Sequence, residues 1–292
     1  MQNFSKMTQI SILGCGWLGL PLAKALLENG FLVKGSTTSV GKLSVLENLG
    51  ILAYLINLTP TLSKGEGGET IEAFLESSKT LIIDIPPKLR GNSKEDFVGK
   101  IKTLIPFIEE SSIENVLFIS STSVYGDTST ALSVTEETKL NPDTESGKQL
   151  VEVEQLLLSN LNFKTTILRF GGLIGEDRHP IKFLAGRKNI ENPNAPINLI
   201  HQEDCIGIIL EILRPFGKLK AGSAQNDKLE RNETFNAVAP FHPSRKEYYT
   251  QKAIDLDLAL PEFNAENSIF GKTISSSKVE KVLGYSFRKL KL

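Results

Sequence analysis

Cysteine and histidine are scarce in this 292-residue chain, which has two of the first and three of the second. Cys15 and Cys205 cannot build a disulfide framework and have no zinc spacing, and His179, His201 and His242 are scattered without an HExxH pair. No metal site is expected. An excess of charge is missing too, since 33 basic residues face 34 acidic ones. That balance gives no electrostatic reason to expect nucleic acid or an anionic membrane surface as a partner. No apolar run approaches the roughly 18 residues of a membrane span. The apolar segment before Cys15 is interrupted at Thr8 and Gln9 and falls short of the about 7 to 15 apolar residues of an export signal. A reducing cytoplasm is the expected location.

What is present begins with Gly14-Cys15-Gly16-Trp17-Leu18-Gly19. An apolar strand pattern over 10–13 precedes it, and a helix pattern from 18 to about 29 follows. In that context a GxGxxG run reads as a dinucleotide-binding turn. Its first glycine permits the tight turn, its second lets backbone approach a pyrophosphate, and its third lets helix pack on strand, with the helix N-terminus facing the negative charge. The plain alternative is a turn that binds nothing.

Apolar strand patterns recur at 31–33, 52–56, 80–85, 115–120 and 165–170, with helix patterns between them, notably at 94–110 and 146–161. Continuous apolar strands alternating with helices predict an α/β Rossmann fold, a doubly wound parallel sheet covered on both faces. The glycine-containing polar stretch 61–69 reads as a surface loop. Residues 1–170 form the expected dinucleotide-binding domain and 171–292 a smaller C-terminal substrate-binding part. The boundary is soft, because 234–238 reads as a strand returning to the main sheet. Ser244-Arg245-Lys246-Glu247 has the form of a capping box.

At the end of the second strand, where an acidic residue usually holds the ribose of NAD, the chain reads Lys34-Gly35-Ser36-Thr37-Thr38, with Lys42 close behind. No carboxylate stands there to repel a 2′-phosphate, and Ser36, Thr37, Thr38 and Lys42 can bind one, so NADP is favoured over NAD. The competing role for any of these hydroxyls is a helix N-cap. After the strand over 80–85, Pro86 and Pro87 end pairing, where they either line the cofactor cleft or only stiffen the strand exit.

The run Phe118-Ile119-Ser120-Ser121-Thr122-Ser123-Val124-Tyr125-Gly126-Asp127 resembles the extended short-chain dehydrogenase/reductases, a group that includes nucleotide-sugar epimerases and dehydratases. Leu168-Arg169-Phe170-Gly171-Gly172, Asn198-Leu199-Ile200-His201-Gln202-Glu203-Asp204 and Lys281-Val282-Leu283-Gly284-Tyr285 extend the resemblance over nearly the whole chain. It implies an NAD(P)-dependent oxidoreductase or epimerase/dehydratase-like enzyme, with Ser121 and Lys148 at the catalytic serine and lysine positions and Lys148 also on the nicotinamide ribose. Pairing as a homodimer is what such relatives imply; the residues themselves leave the oligomeric state open.

Two departures mark this chain. Thr144 stands where the family has its catalytic tyrosine, four residues before Lys148, and Leu13 stands where most extended members have their first glycine. Both are similar to an atypical branch, the bacterial YeeZ-like NAD(P)-binding proteins. A tyrosine starts at a pKa of about 10, within reach of neutral catalysis, whereas an aliphatic hydroxyl starts nearer ~15.7 and even ~5 units of lowering leaves it too weak. Thr144 is therefore not expected to donate a proton; it either hydrogen-bonds the cofactor ribose or a substrate, or stands at or near a helix N-cap. Tyr125 and Glu145 are the nearest alternative proton sources, with packing and a helix start as their ordinary roles. Tyr125, Arg178, His179 and His201 are the residues expected to meet a small, polar substrate, each against a structural alternative. Asp204 is expected to cap or anchor a loop. A protein that binds NADP(H) without turnover, as a sensor or interaction partner, remains open beside the enzyme.

Overall fold

The computed structural model describes residues 8–59, 71–87, 95–127, 132–214, 232–264 and 270–292. The loop expected at 61–69 and the first residue of the helix expected at 94–110 lie outside them. The chain runs through β1 (Gln9–Leu13), α1 (Gly19–Glu28), β2 (Leu32–Thr37), α2 (Leu43–Glu47), β3 (Leu52–Leu55), α3 (Ile71–Leu75), β4 (Thr80–Ile83), α4 (Phe97–Glu109) and β5 (Asn115–Ser121). It continues through β6 (Leu132–Val134), α5 (Glu145–Leu158), β7 (Lys164–Phe170), β8 (Gly172–Ile174), α6 (Ile181–Leu184), β9 (Leu199–His201) and α7 (Gln202–Leu213). β10 (Glu233–Ala237), α8 (Arg245–Asp255), β11 (Lys272–Ile274) and α9 (Ser277–Leu283) complete it.

Seven strands make one sheet in the order β10-β7-β5-β4-β1-β2-β3. β1 pairs in parallel with β2 and β4, β2 with β3, and β4 with β5. This is the doubly wound arrangement that the alternating pattern predicts. All four residues of β4 are buried, which is why Leu81-Ile82-Ile83 read as an apolar run. β2 continues four residues past its apolar start, through polar Lys34-Gly35-Ser36-Thr37. It does so because it is flanked by β1 and β3, and because its buried polar groups find partners. Lys34 Nζ, for example, donates to the carbonyls of Ala73 in α3 and of Glu76 just after it.

The residues cluster into two compact units. The first spans Met1–Ser120, Glu145–Leu168 and Pro215–Thr234. Its core includes Ile10, Ile12, Leu22, Leu26, Leu81, Ile82 and Phe118, each at most 1 % exposed. Ser11, also buried there, donates to the Phe74 carbonyl at 2.7 Å. The second spans Ser121–Thr144, Arg169–Arg214 and Phe235–Leu292. It holds the small sheets β11-β6 and β8-β9 and a cluster of Ile174, Ile181, Ile197, Leu199, Tyr248, Tyr249 and Ala253. α8 opens with the expected capping box, in which Ser244 Oγ accepts from the Glu247 N–H while the Glu247 carboxylate accepts from the Ser244 N–H. Asp204 anchors the C-terminal segment, accepting from Tyr285 Oη at 2.7 Å and from the Arg288 and Lys289 amides.

Candidate functional site

Strand order reverses between β1 and β4, and in open α/β sheets the crevice beyond the strand ends at such a reversal is where ligands bind. Here Gly14 follows β1 and Asp84 follows β4, and both line a cavity of about 410 Å³ within the first unit. The three motif glycines have different reasons to be glycine. Gly14 has φ +108°, and a β-carbon on it would run into the Asp84 carbonyl oxygen. A β-carbon on Gly19 would run into the carbonyl oxygen of Gly14. Gly16 is the opposite case: nothing lies within 4 Å of its β-carbon position. Turn, close packing and open approach are the three requirements of a dinucleotide loop.

The end of β2 holds that loop in place. Ser36 Oγ accepts from the Gly14 N–H at 2.9 Å, and the Ser36 carbonyl accepts from the Cys15 N–H at 2.8 Å. The Ser36 hydroxyl, 2 % exposed, thus positions the glycine turn. Thr37 is also buried, and its Oγ1 accepts from the Ser39 N–H. Thr38 and Lys42 are exposed and line the cavity. Cys15 lies beneath, where its Sγ would be 2.6 Å from a β-carbon on Gly35. Burial, then the Asp84 charge, push its thiol up to about 12, so it is inert at neutral pH.

The cavity also gathers Asn57, Asp84, Glu95, Phe97 and Lys100, none of which the sequence patterns singled out as ligand groups. Burial pushes the Asp84 carboxyl up to about 8, against the lowering effect of a hydrogen bond from the Gly19 N–H. It is therefore mostly neutral at pH 7. Glu95 is paired with Lys100 at 3.1 Å. With Lys42 added, these walls suit a ligand carrying phosphate. Pro86 lines the cavity; Trp17, Leu18, Gly19 and Pro87 do not. Leu18 instead points into the core.

Ser121 ends β5 and caps the short helical turn over Thr122–Tyr125, accepting from the Ser123 N–H at 3.2 Å. Ser121 and Thr144 belong to the second unit and Lys148, on α5, to the first. Thr144 and Lys148 are exposed. Tyr125 is 4 % exposed; its hydroxyl donates to Asn236 Oδ1 at 2.8 Å and accepts from Arg169 Nη1 at 2.7 Å. Burial holds this phenol above its ordinary pKa, with the Arg169 charge opposing. His179 is buried as well. Its Nδ1 accepts from the Ile181 N–H, so Nε2 carries the proton and donates to Tyr248 Oη at 2.8 Å. Burial and then Lys252 lower it to about 4, leaving a neutral ring. Arg178 is exposed at a turn closed with Gly175, and His201 Nδ1 accepts from the Glu203 N–H at the start of α7. Among the described residues there is no group of His, Cys, Asp and Glu suited to a metal ion, and no helix is long and apolar enough to cross a membrane.

No family model matches the chain. Protein YeeZ of Escherichia coli K12 is 34 % identical over 284 residues, covering 97 % of this chain and 96 % of that protein. Among solved structures, a putative NAD-dependent epimerase/dehydratase from Methylobacillus flagellatus superposes with a TM-score of 0.74 at 22 % identity, covering 98 % of this chain and 94 % of that one. UDP-glucuronic acid 4-epimerase from Bacillus cereus, in complex with NAD, superposes with a TM-score of 0.76 at 16 % identity over 96 % and 91 % of the two chains. Those structures have the same fold.

Proposed function

The chain belongs to the same family as protein YeeZ of Escherichia coli, and from that premise and its resemblance to the extended short-chain dehydrogenase/reductases we propose that it binds NADP(H), ahead of NAD(H), at the glycine loop. In this reading it uses the cofactor on a small polar substrate in an oxidoreductase or epimerase/dehydratase-like reaction. The observation that carries it is the cavity wall at the end of β2. There Thr38 and Lys42 stand exposed, and no residue from Ser36 to Lys42 is a carboxylate. The volume is within the roughly 300–1,000 Å³ of ligand sites, and Gly16 leaves room for backbone to approach a pyrophosphate. The fold shared with an epimerase whose structure contains NAD supports the same cofactor class.

The bound nicotinamide would supply hydride transfer. The chain's own part is to clamp the glycine turn through Ser36, to read the 2′-phosphate with Thr38 and Lys42, and to present the Ser121 hydroxyl and Lys148 ammonium. Thr144 hydrogen-bonds; as an aliphatic alcohol it is too weak to be the general acid. Tyr125 does not replace it, because its proton is engaged with Asn236. That engagement favours a second reading, a protein that binds NADP(H) and does not turn it over.

Titration of the purified protein with NADPH and NADH tests the binding step. Binding of NADPH at least ~10-fold tighter than NADH, a difference of about 1.4 kcal/mol, supports the assignment; binding of neither overturns it. Cofactor oxidation with carbonyl or nucleotide-sugar substrates then separates the enzyme from the sensor.

A further inference from the structure

A second cavity, of about 110 Å³, lies wholly within the second unit, among Asp127, Asn192, Pro196, Asn198, Arg245 and Lys272. That is room for a small ionic group such as a phosphate or a carboxylate. Two cationic side chains face it against one carboxylate. Lys272 is committed: its Nζ donates to the Gly126 carbonyl and lies 3.3 Å from Asp127 Oδ1. Asn198 is committed as well, its Nδ2 donating to the Lys272 carbonyl at 2.8 Å and its Oδ1 accepting from the Ile274 N–H at 2.9 Å.

Arg245 is different. Its backbone is fixed at the first turn of α8, where its N–H donates to the Ala195 carbonyl at 2.9 Å behind the Ser244 cap. Its guanidinium lies 6.0 Å over the Tyr249 ring. Yet its Nε is buried with no hydrogen-bond acceptor among the described residues. A buried N–H that gives up water without gaining an acceptor is a penalty folded proteins rarely keep without use. The acceptor that suits a guanidinium fork is an oxyanion, which can take two of its N–H groups at once.

We propose that this cavity is an oxyanion subsite in which Arg245 receives a phosphate or carboxylate group of the substrate, with Lys272 adding positive charge. The proposal rests on the reading that this unit carries the substrate, and it narrows the substrate class to anionic small molecules. Asp127 limits the field to a single net positive charge, which favours one ionic group over a polyanion.

The test is thermal shift and calorimetry of the full chain with inorganic phosphate and, separately, malonate, each against chloride at equal ionic strength. Wild type, Arg245→Gln, Arg245→Lys and Lys42→Ala are compared. The expected result is that Arg245→Gln binds roughly tenfold more weakly than wild type and Arg245→Lys falls between. A response to phosphate alone assigns a phosphoryl group, and a response to malonate alone assigns a carboxylate. Equal binding by wild type and both Arg245 variants overturns the proposal, as does a wild type that responds to neither anion. An effect confined to Lys42→Ala also overturns it, by placing the anion in the dinucleotide cavity. If Arg245→Gln does not fold, Arg245→Lys decides. NADPH affinity is measured in parallel. A protein that binds an oxyanion through Arg245 but no NADPH keeps this subsite and loses the cofactor assignment; the reverse pattern does the opposite.

Discussion

Gly16→Asp and Gly14→Ala are expected to fail in different ways, because the two glycines answer to different neighbours. At Gly16 an added side chain meets open space and enters the cavity with a negative charge. Dinucleotide affinity should fall by at least ~100-fold, about 2.7 kcal/mol, with thermal stability unchanged; retained affinity would remove the glycine loop from the site. At Gly14 the backbone has φ +108° and a β-carbon strikes the Asp84 carbonyl, so Gly14→Ala should lose about 1–3 kcal/mol of folding stability in urea denaturation. Ser36 near the end of β2 and Lys42 beyond it also divide by role. Ser36→Ala removes the acceptor for the Gly14 N–H and should weaken NADPH and NADH equally. Lys42→Ala should weaken NADPH alone, by roughly tenfold. Equal loss of both cofactors in Lys42→Ala would refute its role as the phosphate reader.

At the scale of the element, one buried phenol ties three segments of the second unit together. Tyr125, in the turn after β5, accepts from Arg169 at the end of β7 and donates to Asn236 on β10. Tyr125→Phe keeps the ring and the cation–π contact with Arg169, 5.1 Å from its centroid, and deletes only the bonded oxygen. It should destabilise the protein by about 1–3 kcal/mol and leave NADPH affinity as it was. A variant of wild-type stability with lost turnover would instead make Tyr125 a reacting group. Elements built from contiguous residues were legible in the sequence: α1 after the glycine turn, the apolar β4 and the capping box of α8. The polar half of β2 was not. Its pairing depends on β1 and β3 lying on either side and on distant carbonyls receiving Lys34, and nothing in its own residues announces them.

For the whole molecule, the buried titratable groups set how stability runs with pH. The folded carboxyl of Asp84 titrates near 8 and the unfolded one near 3.8. Between those values the native state binds the extra proton, so this group makes stability fall as pH rises from about 4 to 8 and level off above. His179, held near 4 against an ordinary 6.5, acts in reverse: its contribution is present above 6.5 and lost as pH falls toward 4. Asp84→Asn should therefore gain about 1–3 kcal/mol over wild type between pH 5 and pH 8, since each pH unit of unequal protonation is about 1.4 kcal/mol and the half-buried carboxyl realises part of it. A constant offset between the two proteins across that range would show that Asp84 titrates normally.

By itself the sequence determined the doubly wound fold, the place of the glycine loop and the absence of an acidic residue at the end of β2, because each is carried by neighbouring residues and a local period. Only the tertiary structure decided that Ser36 turns to the Gly14 amide, that Asp84, Glu95 and Lys100 join the same cavity, that His179 points inward, and that Arg245 and Lys272 line one cavity. Those outcomes depend on which strand ends the crossovers bring together and on which way each side chain must turn to satisfy its polar atoms once water is gone.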